Sequence, residues 1–243
     1  MKLEGRVALV TGAGRRVGRA LAVALGNERM RVAVHYNASA DGAKETAAQI
    51  EKLGVEAKIF QADLGAQRGP AQLVDDVTAG FGSLAVLVNS AAIMERTPFG
   101  AVTPESWDAM FALNLRAPFL VSQAAAPHLR QERGAIVNIA DLAAFESWPA
   151  YVPHSISKAG VVKMTSALAR VLAPEVRVNA IAPGAVLLPD DWEKESREHL
   201  EETTPLGRLG DPADVVGAML YLLRADYVTG ETIIVDGGRH VRK

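Results

Sequence analysis

VALVTGAGRRVG, from Val7 to Gly18, is the stretch whose reading decides the fold. Its first four residues are continuously apolar, the pattern of a strand buried on both faces rather than one half open to water. A glycine-rich turn follows, carrying Arg15, Arg16 and Val17, and a helical pattern then runs to roughly Leu25. Gly12 permits the tight turn, and Gly18 lets the helix close against the strand. The free N–H groups and partial positive charge at such a helix start suit a diphosphate.

Outward from this unit the alternation repeats. Arg6–Thr11, Arg31–Tyr36, Ala57–Ala62, Leu84–Asn89, Ala135–Ala140, Arg177–Ile181 and Glu231–Val235 read as strands. Helical patterns lie between them at Ala40–Leu53, Ala71–Ala79, Pro104–Leu129, Ile156–Leu172 and Ala213–Leu223. Pro153 opens the fourth of these, since a missing N–H costs nothing in a first turn. The expectation is one doubly wound, Rossmann-type α/β domain over residues 1–243, with a seven-stranded parallel sheet flanked by helices. Its ligand crevice should lie at the C-terminal ends of the strands. A charged stretch, Pro189–Glu202, falls within a segment of about 185–210 that is placed to act as a substrate lid.

Composition narrows the partners. Apolar residues make up 49% of the chain but aromatic ones only 5%, so the core must be aliphatic. A net charge of −2 argues against nucleic acid or an anionic membrane surface. No apolar run approaches the roughly 20 residues a membrane helix needs, and the N-terminal run is too short for a signal peptide. There is no cysteine, and the histidines at 35, 128, 154, 199 and 240 show no metal-ligand spacing. A cytoplasmic protein with a small-molecule substrate and no metal is expected.

The end of the second strand discriminates between dinucleotides. A site for NAD needs a carboxylate there for the ribose 2′-hydroxyl. This chain instead has His35, Tyr36, Asn37, Ala38 and Ser39, with no acid before Asp41. The guanidiniums of Arg15 and Arg16 suit a 2′-phosphate, so the expected cofactor is NADP(H).

TGAGRRVG, QADL (Gln61–Leu64), NSAA (Asn89–Ala92), Asn114, the stretch Asp141–Lys158, RVNAIAPG (Arg177–Gly184) and YVTGETIIVDGG (Tyr227–Gly238) resemble the short-chain dehydrogenase/reductase family in order. Arg16, the HYN segment and Asp141 are most similar to its pteridine-reductase branch, and most members carry Gly where this chain has Arg16. The resemblance implies that Asp63 and Leu64 flank the adenine, that Asn89 and Ala91 flank its ribose, and that Pro183 and Gly184 line the nicotinamide. It also implies that Lys158 bonds the nicotinamide ribose and that the protein is a homotetramer.

The family's proton-transfer set is Asn, Ser, Tyr and Lys. Asn114 and Lys158 fill the first and last positions here, and the resemblance implies that Asn114 holds a proton-relay water. Asp141 stands in the Ser position, as in pteridine reductases, and His154 stands in the Tyr position. His154 and Lys158 are four apart, so both face one side of the helix. Hydride arriving at a carbonyl or C=N carbon leaves charge on the heteroatom, and a positioned acid must supply a proton. Imidazolium, with a free pKa near ~6.5, is a stronger acid than phenol near ~10. A neighbouring ammonium disfavours that cation and a carboxylate favours it, so Asp141, His154 and Lys158 make a workable set. Two readings stay open: a reductase with His154 in place of Tyr, and a non-catalytic NADP(H)-binding sensor or interaction protein. A Ser-His-Asp hydrolase is excluded by the missing nucleophile elbow.

Pocket residues are expected after the fourth and sixth strands. Met94 stands where pteridine reductases place a stacking Phe. Pro153 should hold Tyr151 off the helix face carrying Lys158, leaving it to line the pocket with Trp192. A pterin-like compound is the leading named substrate, within a broader class of small carbonyl compounds.

Overall fold

The structure, a computed structural model, describes residues 1–187 and 194–241. Its strands are β1 (Val7–Val10), β2 (Arg31–Tyr36), β3 (Ala57–Gln61), β4 (Val86–Asn89), β5 (Ala135–Ile139), β6 (Arg177–Pro183) and β7 (Thr232–Val235). All pair in parallel, in the order β3-β2-β1-β4-β5-β6-β7. The chain winds one way from β1 to β3 and the other way from β4 to β7, so the crevice opens where the order reverses between β1 and β4.

Helices α1 (Arg16–Asn27), α2 (Ala40–Glu51), α3 (Gly69–Phe81), α4 (Pro104–Phe111), α5 (Ala117–Gln131), α6 (Val152–Leu172), α7 (Lys194–Glu202) and α8 (Pro212–Arg224) complete the described architecture. Two aliphatic layers sandwich the sheet. Ala8 and Val10 join Leu21, Leu25, Ile50 and Met219 on one face. Val7 and Leu9 join Leu73, Val77, Val121 and Leu129 on the other. Successive side chains of a strand point to opposite faces, so a strand buried on both must be apolar throughout. Hence the unbroken VALV.

Three sequence expectations need correction. The single helix expected over Pro104–Leu129 is α4 and α5 joined by a π-helical turn at Ala112–Arg116. Pro118 has no N–H to return to the carbonyl of Asn114, and the wider turn accommodates that missing bond. Helix α6 begins at Val152, so Pro153 does not exclude its neighbour; Tyr151 takes the N-cap, and its carbonyl accepts from Ser155 N–H at 2.9 Å. Strand β6 continues to Pro183 rather than stopping at Ile181, carrying the chain to the crevice. Among the described residues no helix is long and apolar enough to cross a membrane.

The last turn of α8 leaves carbonyls without intrahelical donors. Arg177 on β6 supplies them, donating from Nη1 to Leu222 O at 2.6 Å and from Nη2 to Leu223 O at 2.8 Å. Replacing Arg177 by Met should cost about 2–3 kcal/mol of stability in urea unfolding, because partly buried carbonyls lose charged donors. NADPH binding, at the opposite end of the sheet, should survive.

Candidate active site

The glycine turn is a close-packed cradle. Gly12 has φ of +67°, and a Cβ on it would meet Ala91 Cα at 2.9 Å. A Cβ on Gly18 would lie 2.2 Å from the Gly12 carbonyl oxygen. No side chain fits at either position, which leaves the α1 N-terminus bare for a diphosphate. Thr11 Oγ1 accepts from Ser90 N–H at 2.9 Å and Ala91 N–H at 3.1 Å, tying the ends of β1 and β4 together.

His35, expected in the cofactor wall, lies underneath the turn, 2% exposed. Its Nδ1 accepts from Gly12 N–H at 3.0 Å, and its Nε2–H donates to Ala62 O at 3.1 Å. Its carbonyl accepts from Ala13 N–H at 2.9 Å. Both ring nitrogens are occupied by main chain, so the imidazole braces the turn and has no atom left for a phosphate. Burial pushes its pKa down to about 4, partly opposed by the Ala62 carbonyl.

Arg15 and Arg16 are exposed at the mouth. Arg16 has φ of +54° and donates to the carbonyl of Leu187. A non-glycine residue in this region costs on the order of 1–2 kcal/mol. Tyr36 and Ser39 are half-buried and Asn37 exposed at the end of β2, while Asp63 is exposed and Leu64 buried after β3. Asp63 Oδ1 accepts from Gly65 N–H at 2.9 Å. Asn89 is buried and donates from Nδ2 to Ser122 Oγ at 3.1 Å and Asn138 Oδ1 at 2.9 Å. Its Oδ1 is buried with no partner. Val17 and Ala91 are half-buried, Pro183 is buried and Gly184 half-buried at the end of β6. Bare turn and exposed guanidiniums together fit an NADP-type dinucleotide.

At the chemical end the side chains converge on one peptide. Asn114, in the π-helical turn and 1% exposed, accepts from Ile93 N–H and donates to Ile93 O, both at 2.9 Å. It also donates to Ser157 Oγ at 3.2 Å. His154 lies 3.3 Å from the same Ile93 carbonyl through Nδ1. A carbonyl only accepts, so Nδ1 carries the hydrogen and Nε2 is left as the nitrogen without a main-chain partner. Nε2 faces Asp141 Oδ2 at 3.6 Å, close enough for charge stabilisation, and has no hydrogen-bond partner. Asp141 Oδ1 caps the following turn, accepting from Ala143 N–H at 2.8 Å.

Lys158 is buried, and its Nζ donates to Ile139 O at 2.8 Å. Burial pulls its pKa down to about 8, with the Asp141 carboxylate working against that fall. Tyr151 is half-buried off the helix face and meets Trp148 edge-on, with ring centroids 6.2 Å apart. Met94 is 49% exposed beside Ile93. Trp192 and the middle of the expected lid lie outside the described residues. Among the described residues no group of three or more His, Cys, Asp or Glu is arranged for a metal.

Sequence reasoning missed Ile93 and Ile139, which contribute only main-chain atoms; no residue-type signal marks such positions. It also missed Thr11, whose hydroxyl signal was present in the quoted turn.

Stability should respond to His35. The unfolded chain takes up a proton below about pH 6.5 while the folded chain resists until about 4. The folded state should therefore lose up to roughly 3 kcal/mol as pH falls through that window, read as a falling midpoint in urea. His35→Gln should flatten that segment of the curve.

The profile described as enoyl-(acyl carrier protein) reductase matches residues 12–240. A 3beta-hydroxysteroid dehydrogenase of Eggerthella lenta is 36% identical, over 97% of this chain and 94% of that one. The 3-oxoacyl-(acyl-carrier-protein) reductase FabG of Staphylococcus aureus is 35% identical, over 96% of this chain and 98% of that one. The angucycline C-6 ketoreductase LanV, solved with bound NADP, superposes with a TM-score of 0.92 at 32% identity, covering 99% of this chain and 98% of that one.

Proposed function

The chain belongs to the short-chain dehydrogenase/reductase family, and on that footing we propose an NADP(H)-dependent oxidoreductase that reduces a small carbonyl compound. The proposal rests above all on the meeting of Asn114, Asp141, His154 and Lys158 at the end of the sheet, beside a cradle suited to a dinucleotide. When bound, NADPH supplies hydride from its nicotinamide C4. The chain's own residues bind, orient and manage the proton. Arg15 and Arg16 hold the 2′-phosphate; Asp63, Leu64 and Ala91 line the adenosine. Lys158 holds the nicotinamide ribose and Asn114 a relay water. The Asp141–His154 pair supplies the proton to the developing alkoxide.

A carbonyl is preferred because the three named relatives act, by their names, on ketones or hydroxysteroids. A pterin C=N bond is the second substrate reading: Asp141 and Arg16 favour it, and Met94 in place of a stacking aromatic weakens it. The chain works as one cytoplasmic unit, with the described parts of segment 185–210 flanking the substrate. It assembles as a homotetramer, for which the groove of about 720 Å³ lined by Phe111, Leu115, Phe119, Met164 and Leu168 offers an apolar face.

Steady-state NADPH oxidation against ketones, diketones, quinones and pterins tests the reading. Saturable NADPH binding with no oxidation across the panel would favour the sensor alternative. The ammonium of Lys158 is present below about pH 8 and lost above it, so kcat/KM should fall as pH rises past that value. Lys158→Met should lower kcat/KM by about 100-fold through misplaced reactants. Replacing Arg15 and Arg16 together by Ala should weaken NADPH about tenfold or more while leaving NADH affinity nearly unchanged.

A further inference from the structure

We infer that Asp141 is the residue that hands the proton to the substrate, with His154 acting through it from behind; this rests on the reductase reading above. The two members of the pair differ in what they show to the crevice. The His154 side chain is 2% exposed and that of Asp141 23%. Nε2 of His154 is buried and makes no hydrogen bond. Nδ1 is committed to Ile93 O. A substrate oxygen therefore has no approach to either ring nitrogen.

Asp141 is arranged the other way. Oδ1 is held by Ala143 N–H at 2.8 Å, and Oδ2 makes no hydrogen bond among the described residues, with Nε2 behind it at 3.6 Å. Of the other ionisable groups at this end, Lys158 is buried and engaged with Ile139 O, Tyr151 is packed edge-on against Trp148, Glu146 Oε2 accepts from Trp148 Nε1–H at 2.8 Å, and Glu95 and Arg96 are exposed in the loop after β4. Asp141 Oδ2 thus combines a free lone pair and partial exposure with a ring nitrogen 3.6 Å behind it.

The buried imidazole gives this carboxyl something a lone one lacks. A free aspartic acid, with a pKa near ~3.9, has shed its proton by neutral pH, whereas imidazole near ~6.5 still holds one in part. A proton taken up by the pair has two atoms to sit on, Nε2 and Oδ2, 3.6 Å apart. Hydride reaches the carbonyl carbon, reducing it as the nicotinamide is oxidised, and the C=O π electrons move to oxygen. That oxygen takes the proton from Oδ2: the new O–H bond forms, the Oδ2–H bond breaks, and Asp141 is left a carboxylate beside neutral His154. Water on the open side of Asp141 returns the proton.

Chemical rescue separates the roles, using NADPH and whichever carbonyl compound wild type reduces. Asp141→Ala should bind NADPH with its fluorescence change intact, turn over at least about 100-fold more slowly, and recover activity with added formate but not with imidazole. His154→Gln should retain more activity, and its pH profile should shift from that of wild type, because the second atom that can hold the proton is gone. That shift is one a purely structural role would not produce. Should Asp141→Ala fail to bind NADPH, the isosteric Asp141→Asn carries the same comparison and should show the larger loss. Imidazole rescue of His154→Ala, with Asp141 variants near wild-type rate, would overturn this division of labour and leave the reductase reading standing. A wild-type protein that binds NADPH but oxidises it with no carbonyl compound would overturn both.

Discussion

The chemical end of this molecule depends on the two-way hydrogen bond between the Asn114 amide and the peptide of Ile93. An amide side chain satisfies a peptide N–H and C=O together, so the loop after β4 is fixed in position and in orientation. His154 reads its tautomer from that same carbonyl, and its distance from Asp141 follows. Asn114 can reach Ile93 because the π-helical turn widens the helix there. Local backbone irregularity, a main-chain anchor and a tautomer form one chain of dependence.

The two ends of the crevice handle buried titratable groups in opposite ways. Beneath the glycine turn, His35 is neutral: burial opposes its proton, and Nδ1 must stay bare to accept from Gly12. At the other end, Lys158 is buried as a cation that burial has weakened, with the Asp141 carboxylate and the Ile139 carbonyl compensating it. Full burial of a charge is tolerated only with such compensation. One end holds an uncharged prop beneath a bare helix N-terminus, and the other a cation beside a carboxylate.

Much of this was legible in the residues, because the physics that shapes it is local. Unbroken apolar strands such as VALV announce burial on both faces, and glycine at 12 and 18 announces a backbone with no room for Cβ. Helical spacing put His154 and Lys158 on one face, and the family resemblance set Asp141 beside them. Depth was not legible. Helical spacing sets the angle at which His154 projects, whereas its burial depends on the loops after β4 and β5. The role of His35 was hidden for a similar reason, since its partner Ala62 lies just past another strand, β3, and contributes only a carbonyl. The break at Ala112–Arg116 had a visible cause in Pro118, yet its apolar neighbours still read as one uninterrupted helix.

Arg16 carries one more implication. Its backbone sits where glycine would rest without strain, so the charged side chain is kept at a standing cost to the fold. A change from arginine to glycine would relax that backbone while deleting half of the paired guanidinium charge. On the proposed reading of Arg16 as a 2′-phosphate ligand, cofactor choice and robustness are opposed at a single position. A lineage under pressure for thermal tolerance has there a one-step route that loosens discrimination between the phosphorylated and unphosphorylated dinucleotides and leaves the proton machinery untouched.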